Sequence, residues 1–441
     1  MELKQNLLGN YKENKRIETK NETKNFLIER DNEIFKLYQQ GQILQGYKVV
    51  SKIPKTIRTE DGDIPLKRRR YVKYDEEKNE YINRYPLDEE LGLKKYQRNE
   101  QNLINKITSF MGDGKRYKDI LDTVENANIS ERTISNIFKN ADLEETDYIS
   151  NKNNNKIKIP NNVLYIQVDG AFVPMRENKK RVENKIFLST MHVGVDEEKS
   201  TKTRKKMKKK KGVFQMMNKN HKNKNDKSNI DNFIDKIFKS MDTYDINEDN
   251  KILILSDGEK QIKKIYRAVK AKYKNNTVSY SLDKFHLSNR FKQLFPNRNR
   301  IKIHRIKYKL AKIYFFTGNY KLLLDFLICH LPYVNGNKKI FLLETIELIK
   351  NNKEGIENQA LEYNIGCHVE GDVSHYIKAV KGRGAKIYCK ETFINMLIAS
   401  MLKLNNQIND EKVDKTNKNN KEKIEFNIFN LNQSQNQFLS L

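Results

Sequence analysis

The feature that most narrows what this chain can fold into is a run of strand-like segments whose first member carries an acidic residue. In "LYIQVDGAFVPM", residues 164–175, Leu164, Ile166 and Val168 alternate with Tyr165, Gln167 and Asp169. That is the period-2 pattern of a strand with one face in a core. Asp is depleted in strands, and a carboxylate beside a core must be paired, hydrated or bound to a cation. Gly170 follows, and a glycine inside a strand pattern marks a bulge or a close approach by another backbone or a ligand.

The segments "NKIFLSTMHVGV" (184–195) and "GVFQMM" (212–217) read as two further strands. Next come a helix, "NIDNFIDKIFKSM" (229–241), the strand "KILILSD" (251–257), a helix from "GEKQIKKIYRAVKAKY", and the strand "TVSYSLD" (277–283). Three strands, a helix, a strand, a helix and a strand is the order of an RNase H-like α/β core with a mixed sheet. The strand ending in Asp257-Gly258 repeats the strand–Asp–Gly arrangement at Asp169. Two such ends on neighbouring strands would bring their carboxylates together. "HVEGDVSHYI" supplies Glu370 where a last helix would begin to pack on the sheet. Three carboxylates on one edge suit two Mg²⁺ ions, which take oxygen ligands and keep positions open for water and phosphate. Two metals about 4 Å apart clamp both oxygens of an in-line phosphoryl displacement. The plainer reading makes Asp169 and Asp257 turn-forming strand ends. Asp372 competes with Glu370 for the third place, and Glu259, in the turn after Asp257, is a poorer candidate. His286 and His375 read either as functional or as buried, hydrogen-bonded histidines.

Before this core, residues 1–47 read as a polar helix with Phe26, Leu27, Ile34, Leu37 and Tyr38 at helical spacing. "TIRTEDGDIPLKRRRYVKY" (56–74) reads as a hairpin turning at Asp61-Gly62. Its second arm interleaves Lys67, Arg68, Arg69 and Arg70 with Tyr71 and Tyr74, which suits a phosphate backbone or a charged edge strand. "RYKDILDTVENANISERTISNIFKN" (116–140) gives two short helices joined by a turn, the second capped by Ser130. It resembles a helix-turn-helix with Arg132 and Asn136 turned toward DNA, the alternative being an ordinary helical hairpin. Eighty-five Lys and Arg against 57 Asp and Glu give a net charge of +28, which points to a polyanion. A Lys- and Asn-rich composition would raise the charge without any such partner. "KSTKTRKKMKKKK" (199–211) has nine basic residues in thirteen and reads as a solvated loop able to grip DNA non-specifically. "KGRGAK" (381–386) lacks the strand-to-helix setting of a phosphate cradle. The three cysteines have no CxxC spacing, which fits a reducing cytoplasm. No segment reads as a signal peptide or membrane span.

"VDGAFVPM", "LSDGEKQI", "LDKFHLSNR" and "GCHVEGDVSHYIKAVKGRG" resemble the blocks of the ISLre-two family of insertion-sequence transposases. The likeness runs from residue 68 to about residue 400. It implies a DDE transposase with Asp169, Asp257 and Glu370 as the triad. It also likens "DKFH" (283–286) to the Asp-x-x-His pair that precedes a helical insertion. The expected organisation is a DNA-binding region at 1–150, a core at 160–290, the insertion at 291–361, the last core helix at 362–402 and a polar tail at 403–441. Residues 365–380 read as the final ordered segment. The expected function is cutting and joining of double-stranded DNA at an element's ends, in the cytoplasm, with Mg²⁺ or substituting Mn²⁺, by a homo-oligomer on DNA. His286 would assist catalysis, and Arg68, Arg69, Arg70, Arg132 and Asn136 would contact DNA. A nuclease without strand transfer, or a regulator with an idle triad, would share these residues.

Overall fold

A computed structural model describes residues 7–141, 143, 156–201, 205–217, 228–296, 302–381 and 387–405, with side chains from residue 11 onward. The tail beyond 405, residues 382–386, residues 202–204 of the basic loop and residues 144–155 of the linker lie outside the described residues.

The chain opens with helix α1 (Leu7–Gln39), strands β1 (Lys48–Thr59), β2 (Gly62–Asp75) and β3 (Glu80–Arg84), and the short helix α2 (Pro86–Glu90). The hairpin is real but turns one residue earlier than read: Thr59 pairs with Gly62, leaving Glu60 and Asp61 as the loop. Gly62 takes φ +121, where a side chain is strained. Leu27 and Ile34 of α1 pack with Ile57, Ile64, Leu66, Leu87 and Leu93 into a small core of their own. Phe26 is exposed instead.

Helices α3 (Gln101–Gly112), α4 (Tyr117–Thr123) and α5 (Glu131–Asn140) follow. Ser130 accepts from the Thr133 amide and caps α5 as its sequence indicates. The expected boundary near residue 150 is not where the cores divide. Leu103, Ile107, Met111, Ile134 and Phe138 belong to the large core of the sheet, not to the small one.

The sheet is built from β4 (Val163–Glu177), β5 (Lys180–His192), β8 (Lys211–Met217), β9 (Lys251–Ser256) and β10 (Thr277–Leu282). A small ribbon, β6 (Val195–Asp196) with β7 (Lys206–Met207), intervenes, and helices α6 (Asn229–Met241) and α7 (Lys260–Lys272) connect β8 to β9 and β9 to β10. The spatial order is β10-β9-β4-β5-β8. Strand β4 is antiparallel to β5 and parallel to β9, which is parallel to β10. The order of strands and helices is the one the sequence indicates. The sheet is more deeply buried than its alternation suggests. Leu164, Ile166 and Val168 face the large core, while Val163 and Tyr165 are covered on the other face by Leu361, Tyr363 and Ile365. Gly170 marks neither a bulge nor a neighbouring backbone: the register against β5 is unbroken, and the space a Cβ would need is taken by the Lys185 and Phe187 side chains at 3.0 Å.

Helices α8 (Lys284–Leu294), α9 (Lys302–Phe316), α10 (Tyr320–Ile328), α11 (Gly336–Asn351) and α12 (Lys353–Glu357) follow β10. All but α8, which begins before residue 291, fall wholly within the span expected to be a helical insertion. The chain then returns through α13 (Val369–Asp372), a π-helical stretch (Val373–Lys378) and α14 (Ala379–Lys381), and ends in α15 (Lys390–Leu404). Helix α15 corrects the reading that order stops near residue 380. It buries Phe393, Met396, Leu397, Ile398 and Met401. Its near-continuous apolar run carries no amphipathic signal because it is covered all round. Gly112 lets α3 approach it, since a Cβ there would meet the Ala399 backbone at 2.9 Å. No helix among the described residues is long and apolar enough to cross a membrane.

Candidate metal centre

Strand register places the acidic residues. Val168 pairs with Ser256, and Ser256 pairs with Leu282. The next residue in each case is an aspartate. Asp257 and Asp283 directly follow the last residues of β9 and β10. Asp169 is not the strand end its Asp-Gly pair suggests, because β4 runs on to Glu177, past the end of β9. The three acids therefore lie side by side where β9 and β10 stop. Gly258 turns the chain away behind Asp257 with φ +92, and a Cβ would meet Leu282 at 2.8 Å. Asp283 accepts from the Phe285 amide at 2.9 Å and caps α8. That cap sets His286 one turn into the helix.

His286 Nε2 lies 3.6 Å from Asp283, 3.9 Å from Glu370 and 4.0 Å from Asp169. Ligand atoms of Asp169, His286 and Glu370 all fall within 4.8 Å of one another. The imidazole side chain is 38% exposed and its Nε2 has no hydrogen-bond partner among the described residues. A buried, satisfied histidine would show neither feature.

The electrostatics show unmet demand for positive charge. Asp169 is 4% exposed, and burial is the main reason its carboxyl is pushed up to about 6, reinforced by Asp257 and Glu370. The Gly170 amide and His286 pull the other way. Burial likewise raises Asp257 and Asp283, each partly offset by a backbone amide. Burial also works against the Glu370 carboxylate, but Lys378, 2.9 Å away, outweighs it and holds the group low. Lys378 is eight residues beyond Glu370, about 80° round a regular helix. The π-helical stretch, with its wider turn, brings the two together. No periodicity argument would have paired them.

Crowded, partly desolvated carboxylates with an orphan imidazole nitrogen are the donor set a divalent cation satisfies. Oxygen donors suit Mg²⁺, and the imidazole extends the fit to Mn²⁺. Asp257 stands outside the tight cluster of three, although its charge acts on Asp169.

The competing third acid is placed elsewhere. Asp372 is buried, accepts from Thr190 Oγ1 at 2.7 Å and pairs with Lys210 at 2.5 Å. Glu259 pairs with Lys185 at 2.5 Å. Of the basic residues read as DNA contacts, Arg68 is buried against Asp88 at 2.6 Å and over the Tyr85 ring. Arg69 pairs with Asp31 and stacks on Phe35. Neither guanidinium is offered to a phosphate: each is taken up by an acid and a ring from outside the basic run, while the interleaved Tyr71 and Tyr74 pack against Tyr38 and Tyr81. Arg70 is half-buried, whereas Arg132 and Asn136 are exposed on α5.

A mixed sheet covered by helices, with an acidic cluster at its carboxyl edge, defines an α/β protein with a candidate cation site. The chain belongs to an uncharacterised protein family, UPF0236, whose family model matches residues 17–371. That span includes Asp169, Asp257, His286 and Glu370. No curated protein matches the sequence.

Proposed function

We propose that this protein is a DDE transposase of a bacterial insertion sequence, with an RNase H-like core that cuts and joins DNA. The observation that carries the reading is the meeting of Asp169, His286 and Glu370 within 4.8 Å, beside the ends of β9 and β10 that Asp257 and Asp283 follow. The strand order and directions support it, as does the resemblance of the blocks around these residues to ISLre-two transposases. Bound divalent metal would supply charge neutralisation at a phosphodiester and activation of its attacking hydroxyl. Asp169 and Glu370 would hold that charge, and Asp257 would add a third carboxylate from the adjoining strand. His286 is placed to donate to a phosphate oxygen, with Asp283 orienting the ring. Lys378 keeps Glu370 ionised. No protein nucleophile is required, since water or a DNA 3′-hydroxyl attacks.

The test is a labelled duplex carrying the DNA that flanks the gene, incubated with protein and Mg²⁺. Cleavage with joined products is expected. Cleavage without joining would identify a nuclease, and binding without either would identify a regulator.

His286→Ala is expected to slow cleavage by about 10- to 1,000-fold, the scale of losing one positioned donor. Its melting temperature should stay close to the wild-type value, because the ring is only half-buried and its Nε2 makes no hydrogen bond. A large loss of stability with normal turnover would return His286 to a structural role.

The second helix of the pair, α5, is expected to read the element's ends. Arg132 and Asn136 point outward while Ile134 and Phe138 point into the core. Replacing both by Ala in the full chain should weaken binding to the ends more than binding to random duplex, at unchanged melting temperature. Equal losses on both DNAs would make α5 a backbone contact or an ordinary hairpin. A fragment ending near residue 150 is unsuitable, because it would strip Leu103, Ile107 and Phe138 of their cover.

A further inference from the structure

Between the carboxyl edge of the sheet and the helical insertion lies a cavity of about 250 Å³, lined by Asp257, Gly258, Glu259, His286, Arg290 and Leu348 among others. Arg290 is four residues after His286 on α8, so both face the same side of the helix. Its guanidinium lies over the Phe341 ring of α11, 5.2 Å from the centroid, a cation–π contact that helps hold it in place. Its Nη1 is buried, yet meets no hydrogen-bond partner among the described residues. A buried, permanently charged donor without an acceptor is costly, and a fold that keeps one beside a cavity has left room for an acceptor to arrive. The start of α7 points at the same space: Glu259 heads the helix without a side-chain cap. The Glu259 amide already donates to Asp257 and the Ile262 amide to the Glu259 carbonyl, which leaves the Lys260 and Gln261 amides of the first turn as donors that favour an anion.

We propose that this cavity is a phosphate site, and that Arg290 grips a backbone phosphate of the DNA strand neighbouring the one held at the acidic cluster. The assignment rests on the transposase reading for its partner, and on the cavity for its chemistry. Size argues for a phosphate with its sugar, since pockets that engulf larger ligands run to about 300–1,000 Å³. Charge argues for a diester. Asp257 and Asp283 line the cavity and repel a free phosphate dianion more than a singly charged phosphodiester. Glu259 is neutralised by Lys185, which leaves Arg290 as the cation facing the space from the insertion side.

The experiment is a salt titration of binding to a fluorescein-labelled duplex, with the full-length wild type, Arg290→Ala, Arg290→Lys and Phe341→Leu. Losing one phosphate contact should lower the slope of log affinity against log salt by about 0.9 and weaken binding about 10-fold at low salt. Arg290→Lys should recover the slope but not the full affinity, because the ammonium keeps the charge and loses the stacked, forked geometry. Phe341→Leu should weaken binding with the slope intact, and it serves if Arg290→Ala does not fold. An unchanged slope and affinity in Arg290→Ala, with wild-type binding normal, would overturn the site. Inorganic phosphate raising the melting temperature of wild type but not of Arg290→Ala, with both DNA slopes alike, would also overturn it in favour of a free phosphate ligand. A lowered slope in a protein whose wild type never cuts DNA would keep the phosphate site and remove the transposase reading.

Discussion

Asp169→Asn, Asp257→Asn and Glu370→Gln are each expected to lower Mg²⁺-dependent cleavage by about 10³-fold or more while DNA binding persists. Each amide keeps the shape of its carboxylate and loses the charge. The several kcal/mol of transition-state stabilisation a metal supplies corresponds to about a factor of ten per 1.4 kcal/mol. Single-turnover cleavage at saturating protein, with binding measured in parallel, is the assay. A variant that cuts at the wild-type rate removes that residue from the site. Activity in Glu370→Gln together with its loss in Asp372→Asn would hand the third place to Asp372. The same carboxylates give a signature that needs no substrate. Asp169 is raised to about 6 from an ordinary value near 4. Through that interval the metal-free native state holds a proton that the unfolded chain has released. Stability from this group is therefore lost as pH rises from about 4 to 6. Asp169→Asn should flatten that dependence and raise the melting temperature of the metal-free protein at pH 8. A steeper dependence in the variant would contradict the burial argument.

Asp372→Ala is expected to destabilise the fold by about 3 kcal/mol, near the lower end for breaking a buried ion pair. Asp372 is 4% exposed and accepts from both Thr190 and Lys210. Truncation leaves the ammonium and the hydroxyl without an acceptor. The lower figure applies because the Lys210 side chain keeps 18% exposure and can turn toward water. Chemical denaturation of the metal-free protein measures the loss, and an unchanged midpoint would refute it. The substitution should also reduce cleavage, because Asp372 fastens the end of α13, and Glu370 with it, to β5. Asp372→Asn should recover much of the stability, since an amide still accepts from Thr190. A residue acting only as a metal ligand would show the opposite pattern, with the amide as inactive as the alanine.

Much of the core was legible in the sequence, for a definite reason. Period-2 alternation in β4, the buried apolar run of β9, helical periodicity in α6 and α7, and the Asp-Gly junction at Asp257 are local patterns. Backbone geometry alone turns them into strands, helices and a turn. They indicated the strand succession and Asp257. Asp169 reads as a second strand end, but β4 runs on to Glu177, and it is the register against β9 that sets this acid beside the others. The resemblance of the later blocks pointed to Glu370 and to the Asp283–His286 pair. Tertiary packing decided the rest. Helix α15 is apolar on all sides, so it showed no face to read. Arg68 and Arg69 looked like phosphate contacts until Asp88 and Asp31, distant in sequence, arrived beside them. Asp372 and Glu370 are two residues apart and chemically alike. Only the placement of Thr190 and Lys210 under one, and of His286 and Lys378 beside the other, separates a structural carboxylate from a candidate ligand. Lys378 reaches Glu370 through a π-helical stretch that no periodicity implies. Sequence determines which groups stand at the ends of strands; the charges that meet them there are fixed by contacts between segments far apart in the chain.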